Sequence, residues 1–418
     1  MARDLYVASW EQAGGSAWVA RHGLSSAGYQ SAFDENIRQG YRLTCVSGYT
    51  NGSGQERYAA IWDKSSGGQW VARHGMTSAG YQQEFNTHVG NGYRLKLVNG
   101  YAVGGQDRYA AIWEKLDGPA WVARHGMTSS GYQQEFNTHV GAGHRLRWVS
   151  TYVVGGQDRY AAIWDKSAGP SWTARHGQSE SGFRATCQQL AAQGYDLICA
   201  GAAFVDGADR YAGLWELKRL TSTAHHGMTS GTYQSKFEDL VAAGNRLRFV
   251  TGYLGDDPVD VVLRFAMPQQ EQGNWCWAAT SVGVSRHYVP NSAWQQCQVA
   301  NLQIGRNDCC DAGATGPCNI YGSLSDGLQR VGHFASSSGG TQSFAQVEAQ
   351  LLQGRPLGIR TAWSGGGAHF ICATGTEDDE FVHVSDCGSG TTSLVDYDVL
   401  LTSYRGSGTW THSYFTQP

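Results

Sequence analysis

One cysteine and its neighbours carry the strongest chemical signal in the sequence. Residues 273–279 read Gly-Asn-Trp-Cys-Trp-Ala-Ala, and Cys276 begins an apolar, helix-compatible run that extends to residue 289. A thiol at a helix N-terminus lies at the positive end of the helix dipole, which favours the thiolate. The thiolate is the nucleophilic form, so Cys276 is the predicted catalytic nucleophile.

Three further residues supply the groups that such a nucleophile needs. Gln270 lies six residues before Cys276, and its side-chain amide can donate to an oxyanion. His369 begins one predicted strand, and Asp386 ends another. If these strands pair as an antiparallel hairpin, Asp386 lies beside His369 and fixes its tautomer, while the other ring nitrogen faces the thiol.

The same residue types also allow other interpretations. His383 and Asp378 are alternatives for the base and the orienting carboxylate, although His383 lies in the middle of an apolar strand pattern. Each residue taken alone has a structural interpretation, as an inert core thiol, a strand-end histidine or a turn aspartate. The order nucleophile, base, orienter together with an upstream glutamine favours catalysis.

This pattern resembles the papain-like cysteine proteases, most nearly their compact bacterial branch, which includes secreted effector proteases of plant pathogens. That branch carries Gln-Gln-x-x-x-Asn-Trp-Cys-Trp-Ala-Ala, which this chain matches at 269–279, and then a Cys-x(n)-Cys-Cys-x(n)-Cys-Asn segment, matched at 297–319. The resemblance covers roughly residues 266–418. It implies an α+β domain, helices first and sheet second, that hydrolyses peptide bonds without a cofactor or metal. The related bacteriocin-leader peptidases are usually fused to a membrane transporter, and no transporter segment is present here.

The cysteine-rich segment allows two interpretations. Zinc could bind four cysteines, but adjacent Cys309 and Cys310 fit one tetrahedral site poorly. Two disulfides are the favoured alternative, with three connectivities open. Further candidate disulfides are Cys187 with Cys199 and Cys372 with Cys387, whereas Cys45 has no evident partner. This pattern indicates an oxidising destination, and hence a secreted protein.

Residues 1–265 consist of one unit repeated five times. The tetrapeptide Ala-Arg-His-Gly, or Ala-His-His-Gly in the last copy, recurs about every 50 residues, with its histidine at His22, His74, His125, His176 and His226. A Ser/Thr cap and an amphipathic stretch follow each copy, and in the second copy Tyr81, Phe85 and Val89 form a helical stripe. Two strand patterns then follow, the second reading Arg-Tyr-Ala-Ala-Ile-Trp at 57–62. The predicted unit is therefore strand, helix, strand, turn, strand.

Such repeats stack around a shared core. Residues 6–10 are an additional copy of the last strand pattern, and residues 259–265 are a degenerate copy that ends the fifth unit. An extra terminal strand is what a closed, propeller-like ring would use to complete its last sheet, although an open arc also fits. The repeats resemble the N-terminal region of secreted fungal polyglycine hydrolases, which implies a portable accessory module but does not identify its ligand. A protein or a glycan is the expected kind of target for such a module.

The five repeat histidines invite a metal-binding interpretation. Each stands alone before a glycine, and one candidate ligand per repeat seldom converges on a metal ion. We therefore expect them to have a structural role next to the adjoining turn.

The composition excludes several classes of function. The formal net charge is −4, so no basic field favours nucleic acid. No apolar run reaches the ~18–20 residues of a membrane span, and no charged-then-apolar leader follows Met1.

We therefore predict an accessory repeat domain over 1–265 and a cysteine protease domain over 266–418, acting on protein or peptide substrates. The alternatives are an isopeptidase or acyl transferase with the same triad, and a repeat-based binding protein with a vestigial protease domain.

Overall fold

The structure is a computed structural model that describes residues 3–12, 14–218, 222–255, 261–311, 316–377 and 381–418. The chain divides into two units, Met1–Asp257 and Pro258–Pro418. Within the described ranges, no helix is both long and apolar enough to cross a membrane.

The first unit contains an N-terminal strand and five repeats. The first four follow the predicted order strand, helix, strand, strand, and the fifth supplies strand, helix and strand. Its elements in chain order are β1 (Arg3–Glu11), β2 (Trp18–Leu24), α1 (Ser26–Arg38), β3 (Arg42–Thr50), β4 (Glu56–Asp63), β5 (Trp70–Met76), α2 (Ser78–Gly90), β6 (Arg94–Val103), β7 (Gln106–Glu114), β8 (Trp121–Met127), α3 (Ser129–Gly141), β9 (Arg145–Val154), β10 (Gln157–Asp165), β11 (Trp172–Gln178), α4 (Glu180–Ala192), β12 (Asp196–Val205), β13 (Ala208–Glu216), β14 (Ser222–Thr229), α5 (Ser230–Ala242) and β15 (Arg246–Gly255).

Each of the first four repeats builds its own three-stranded antiparallel sheet, in which the last strand lies between the other two. In the first repeat the order is β2-β4-β3. The central strand is therefore buried from Tyr58 to Trp62, which explains why the pattern Tyr-Ala-Ala-Ile-Trp contains no charged side chain. None of these sheets closes into a barrel within the described residues.

The N-terminal strand supplies the central strand of the fifth sheet. Its order is β14-β1-β15, so Trp10 lies, fully buried, in the position that Trp62 occupies in the first repeat. The prediction that residues 259–265 complete the fifth unit is therefore wrong, because β1 already fills that place. The described part of that segment instead pairs with the second unit, Val261 opposite Thr376.

Hydrogen bonds between neighbouring repeats close the first unit into a ring. The amide of Gly48 donates to Asn99 in the second repeat at 2.7 Å. Between the fifth repeat and the first, the amide of Gly252 donates to Ser47 at 3.1 Å. A Cβ at Gly252 would lie 2.5 Å from the Tyr49 ring, so glycine is required where the inner strands meet. The ring-like arrangement is confirmed, and the open arc is excluded.

The repeat helices begin as their sequences indicate but turn a slightly different face inward. Thr77 caps α2 by accepting from the amide of Gly80 at 3.1 Å. Tyr81 is buried, whereas Val89 is 36 % exposed, so its assignment to the apolar stripe is wrong. His88 takes the inward position, where its Nε2 lies 3.0 Å from a carboxylate oxygen of Glu84.

The repeat histidines pack against aromatic rings, in agreement with a structural role. His74 lies edge-on to Tyr29 and Tyr58, with ring centroids 4.7 Å and 5.2 Å away. The other four repeat histidines make equivalent edge-on contacts with aromatic rings: His22, His125, His176 and His226. Burial lowers the pKa of His74, which favours the neutral ring.

The second unit places helices before a seven-stranded sheet, as the α+β prediction requires. Its elements are β16 (Val261–Val262), α6 (Cys276–Tyr288), α7 (Gln296–Ile304), a short 3-10 helix (Gly316–Cys318), α8 (Leu324–Arg330), β17 (Phe334–Gly339), α9 (Phe344–Leu352), β18 (Leu357–Trp363), β19 (Ala368–Glu377), β20 (Phe381–Asp386), β21 (Thr391–Asp396), α10 (Tyr397–Thr402) and β22 (Gly408–Thr416). The main strand order is β17-β22-β18-β19-β20-β21, with β16 beside β19.

Disulfides join the clustered cysteines after α6. Cys297 is bonded to Cys310, and Cys309 is bonded to Cys318. This pairing favours the disulfide alternative over zinc, because disulfide sulfurs are no longer thiolate ligands.

The two other predicted disulfides are wrong. Cys199 is a free thiol in the first unit, so it is not bonded to Cys187, and Cys372 and Cys387 are both free. Cys45 is likewise free, as predicted.

Candidate active site

The predicted nucleophile begins the helix that its sequence indicated. Cys276 is the first residue of α6, and no side chain caps that helix end. Trp275 and Trp277 flank it as buried anchors, and the Trp275 indole donates to the Cys318 carbonyl at 2.6 Å. The thiol thus stands at the positive end of the helix dipole, held by two large side chains and by the disulfide-bonded loop.

The predicted base and orienting carboxylate form a close pair. Strands β19 and β20 are antiparallel neighbours, with Ile371 opposite Asp386. His369 Nε2 lies 2.7 Å from Asp386 Oδ1. The Cys387 sulfur lies 3.9 Å from His369 Nε2, and both Cys276 and Cys387 help to raise the pKa of His369, so the two thiols lie near the imidazole.

The carboxylate of Asp386 has donors on both oxygens. Oδ1 also accepts from the Gly388 amide at 2.7 Å. Oδ2 accepts from the Tyr404 hydroxyl at 2.7 Å and from the Arg405 guanidinium at 2.9 Å. These donors fix the orientation of a side chain that is only 1 % exposed.

The electrostatics of the pair favour a charged imidazolium beside a charged carboxylate. Burial opposes the charge on His369, but hydrogen bonds with Asp386 and Cys276 outweigh burial and raise the pKa of His369 to about 12. Burial also opposes the charge on Asp386, yet the bonds from His369 and Tyr404 lower its pKa to about 2. The arrangement can hold an imidazolium ready to stabilise a thiolate.

Gln270 lies beside the pair, with its amide engaged by its own loop. Its Nε2 donates to the carbonyls of Gln272 and Gly273, at 3.0 Å and 2.9 Å. Its Oε1 is 3.6 Å from the Cys387 sulfur, which in turn lies 3.6 Å from the Cys276 carbonyl. Gln270 is thus brought near the nucleophile, and its amide shapes the loop that precedes α6.

The alternative base is not part of this cluster. His383 pairs instead with Glu377, 3.1 Å away. Asp378 lies outside the described residues.

Sequence reasoning missed three neighbours of the pair. Tyr404 and Arg405 hold Asp386, and Trp363 stacks on His369 with ring centroids 6.2 Å apart. Trp363 ends β18 and was visible only as a strand-end aromatic. Tyr404 and Arg405 lie in the turn before β22, where Tyr-Arg-Gly-Ser-Gly indicates a turn but no chemistry.

Comparison with known families agrees with both units. The model described as "Polyglycine hydrolase-like, structural repeat" matches five times, at residues 15–65, 67–116, 118–167, 169–217 and 220–267. The model described as "Papain-like cysteine protease AvrRpt2" matches residues 259–399. A search of curated proteins found no match. The chain therefore belongs to the family of proteins with polyglycine hydrolase-like structural repeats, and these repeats are followed by a papain-like cysteine protease domain.

Proposed function

We propose that the protein is a secreted cysteine endopeptidase in which Cys276 attacks the scissile carbonyl. His369 takes the thiol proton and later donates it to the leaving amine, while Asp386 orients the ring. The observation that carries this proposal is the His369–Asp386 contact of 2.7 Å, at a histidine whose pKa the Cys276 thiol helps to raise.

Gln270 is the proposed side-chain donor to the oxyanion. Gln270 Oε1 and the Cys276 carbonyl both contact the Cys387 sulfur, and rotation about the last torsion of Gln270 would exchange the contacts of its amide with loop carbonyls for one with a developing oxyanion. Such donors act mainly after the negative charge forms.

Secretion is proposed from the two disulfides, because such bonds persist in oxidising surroundings. The ring of repeats is the proposed targeting module, since repeat domains expose extended surfaces for protein or glycan partners.

An irreversible thiol-directed protease inhibitor tests the assignment. We expect one adduct, at Cys276, found by peptide mass spectrometry and matched by complete loss of peptidase activity. The Cys276→Ala protein should fold normally, take up no inhibitor at that position and hydrolyse no peptide. Residual peptide hydrolysis by the Cys276→Ala protein would contradict the assignment of Cys276 as the nucleophile.

Two other functions remain as outcomes of this experiment. A vestigial domain in a binding protein would show neither labelling nor hydrolysis. An isopeptidase or acyl transferase would be labelled at Cys276 but would leave linear peptides intact while acting on branched or amine-acceptor substrates.

A further inference from the structure

A buried tyrosine and an arginine hold the side of Asp386 that faces away from the imidazole. Asp386 Oδ2 accepts from the Tyr404 hydroxyl at 2.7 Å and from Arg405 at 2.9 Å. The other oxygen is already used by His369 and by the Gly388 amide. The carboxylate therefore cannot rotate about its last torsion without breaking charge-assisted hydrogen bonds.

We propose that Tyr404 and Arg405 are positioning residues for the cysteine protease reaction. Tyr404 fixes the direction of the Asp386 carboxylate, and Arg405 weakens the attraction between that carboxylate and the His369 imidazolium. This inference rests on the proposed function, because it requires His369 and Asp386 to work with Cys276.

Tyr404 reaches both members of the pair. Its hydroxyl bonds Asp386, and the residue is 2 % exposed. Its ring stacks on Trp363 at 6.4 Å between centroids, and Trp363 stacks on His369 at 6.2 Å. One side chain thus constrains the carboxylate by a hydrogen bond and the imidazole through the indole between them.

Backbone hydrogen bonds and close packing fix the conformation of the turn that carries Tyr404 and Arg405. The amide of Tyr404 donates to the Gly408 carbonyl at 2.9 Å, and the Gly408 amide donates back at 2.8 Å. A Cβ at Gly408 would lie 2.5 Å from Thr361 Oγ1, so a side chain there would displace the turn.

Arg405 has a φ of 47°, a left-handed conformation that residues with a Cβ rarely adopt. Such strain persists where the surroundings impose it, and it concentrates at functional sites. Here it aims the guanidinium at Asp386.

Arg405 acts on the pair through charge. The titratable and charged groups that face the His369–Asp386 pair are Cys276, Cys387, Tyr404 and Arg405. Arg405 is the cation among them, and it competes with the imidazolium for the same carboxylate. Removing its charge strengthens the hold of Asp386 on the imidazolium, so the pKa of His369 rises and the alkaline limb of kcat/KM moves to higher pH.

The Tyr404→Phe variant of the full chain tests the first half. We expect kcat for a small peptide to fall roughly tenfold with little change in KM, because the lost bond orients a group that acts in the transition state. Tyr321→Phe is the matched control, since Tyr321 is 77 % exposed. Wild-type kcat and pH profile in a folded Tyr404→Phe protein would overturn the role of Tyr404.

Arg405→Gln and Arg405→Lys test the second half and decide the proposal if Tyr404→Phe does not fold. Arg405 is half exposed, so the expected alkaline shift in Arg405→Gln is only about a few tenths of a pH unit and shrinks in high salt. Arg405→Lys should keep the wild-type limb. If the alkaline limb of kcat/KM lies at the same pH in both variants at low salt, Arg405 does not have this role.

Cys276→Ala separates this inference from the proposed function. Peptidase activity that survives in Cys276→Ala contradicts the proposed function. Loss of activity in Cys276→Ala, together with wild-type kinetics in the Tyr404 and Arg405 variants, contradicts only the positioning role.

Discussion

His369 Nε2 lies 2.7 Å from Asp386 Oδ1, although 17 residues separate them in sequence. The start of β19 and the end of β20 meet because the two strands are antiparallel neighbours. Asp386 is buried, and its carboxylate accepts from four donors. These contacts hold the carboxylate in one orientation towards His369.

This pair predicts how the pH dependence of catalysis responds to Asp386→Asn. The contact with Asp386 helps raise the pKa of His369 to about 12, so the wild-type imidazolium persists well above neutral pH. Without the carboxylate charge the pKa of His369 falls, and the alkaline limb of kcat/KM should move to lower pH, towards the ordinary histidine value of about 6.5.

Alkylation of Cys276 by iodoacetamide at neutral pH should be slower in Asp386→Asn, because fewer molecules then carry the imidazolium that stabilises the thiolate. Glu377→Gln is the control, because it removes a carboxylate beside His383 instead. An alkaline limb that stays in place in Asp386→Asn would contradict the role given to this pair.

Gln270→Ala should lower kcat by about 10²–10³ with little change in KM, because an oxyanion donor acts only once charge develops. Alkylation of Cys276 forms no oxyanion, so its rate should remain near the wild-type value. If alkylation slows as much as peptide hydrolysis, Gln270 acts through the loop carbonyls of Gln272 and Gly273 instead. Gln269→Ala is the neighbouring control, since its exposed side chain makes only a 3.4 Å bond to Gly388.

The proposed catalytic residues could be identified in the sequence because each is marked by its local pattern. Cys276 opens an apolar helix, and His369 and Asp386 bound two strands whose pairing follows from their short separation. Tyr404 and Arg405 carry no such mark, because they reach Asp386 only through the turn that leads into β22. The sequence around a turn tyrosine does not indicate its role, because only the folded sheet brings its hydroxyl against a carboxylate.

The repeat unit was likewise predictable from its period. The copy of the central strand at residues 6–10 indicated a strand that would complete the last sheet of a closed ring, but the sequence also allowed an open arc, and the structure decides between the two. Residues 261–262 were misassigned because a short β-branched run fits any sheet edge, and β19 of the second unit provides the edge that it joins.

Closure of the ring makes the N-terminal strand a determinant of stability. Trp10 is fully buried in the fifth sheet. We expect Trp10→Ala to lower the free energy of unfolding of the first unit by about 3–5 kcal/mol, as for other buried Trp→Ala changes. Trp62→Ala should cost a similar amount, because it occupies the same position in the first sheet. Thermal and denaturant unfolding measure both, and a near-zero effect of Trp10→Ala alone would contradict the closed ring.

The disulfides should stabilise the second unit measurably. The bonds Cys297–Cys310 and Cys309–Cys318 close loops with sequence separations of 13 and 9 residues. Replacing Cys297 and Cys310 together by alanine should cost about 3 kcal/mol of unfolding free energy, mainly by freeing the unfolded chain. Reductant should lower the unfolding midpoint of the wild-type protein. A midpoint insensitive to reductant would show that these bonds do not contribute.

The second unit should be an active enzyme by itself. Cys276, His369, Asp386 and Gln270 all lie within it, as do the two disulfides. Strand β16 pairs with β19, and the Leu263 amide donates to the Thr374 carbonyl at 2.8 Å. A protein of residues 258–418 keeps these contacts, whereas one of residues 266–418 loses them and leaves an exposed strand edge.

We therefore expect residues 258–418 to fold and to hydrolyse a small peptide as the full chain does, and residues 266–418 to unfold at a lower temperature. Cys276→Ala in the shorter protein gives the background rate. The repeats should then affect which proteins are cleaved and leave small-peptide cleavage unchanged. If residues 258–418 are well folded but inert on every peptide tried, the repeats or a partner must complete the site, and the modular organisation would be wrong.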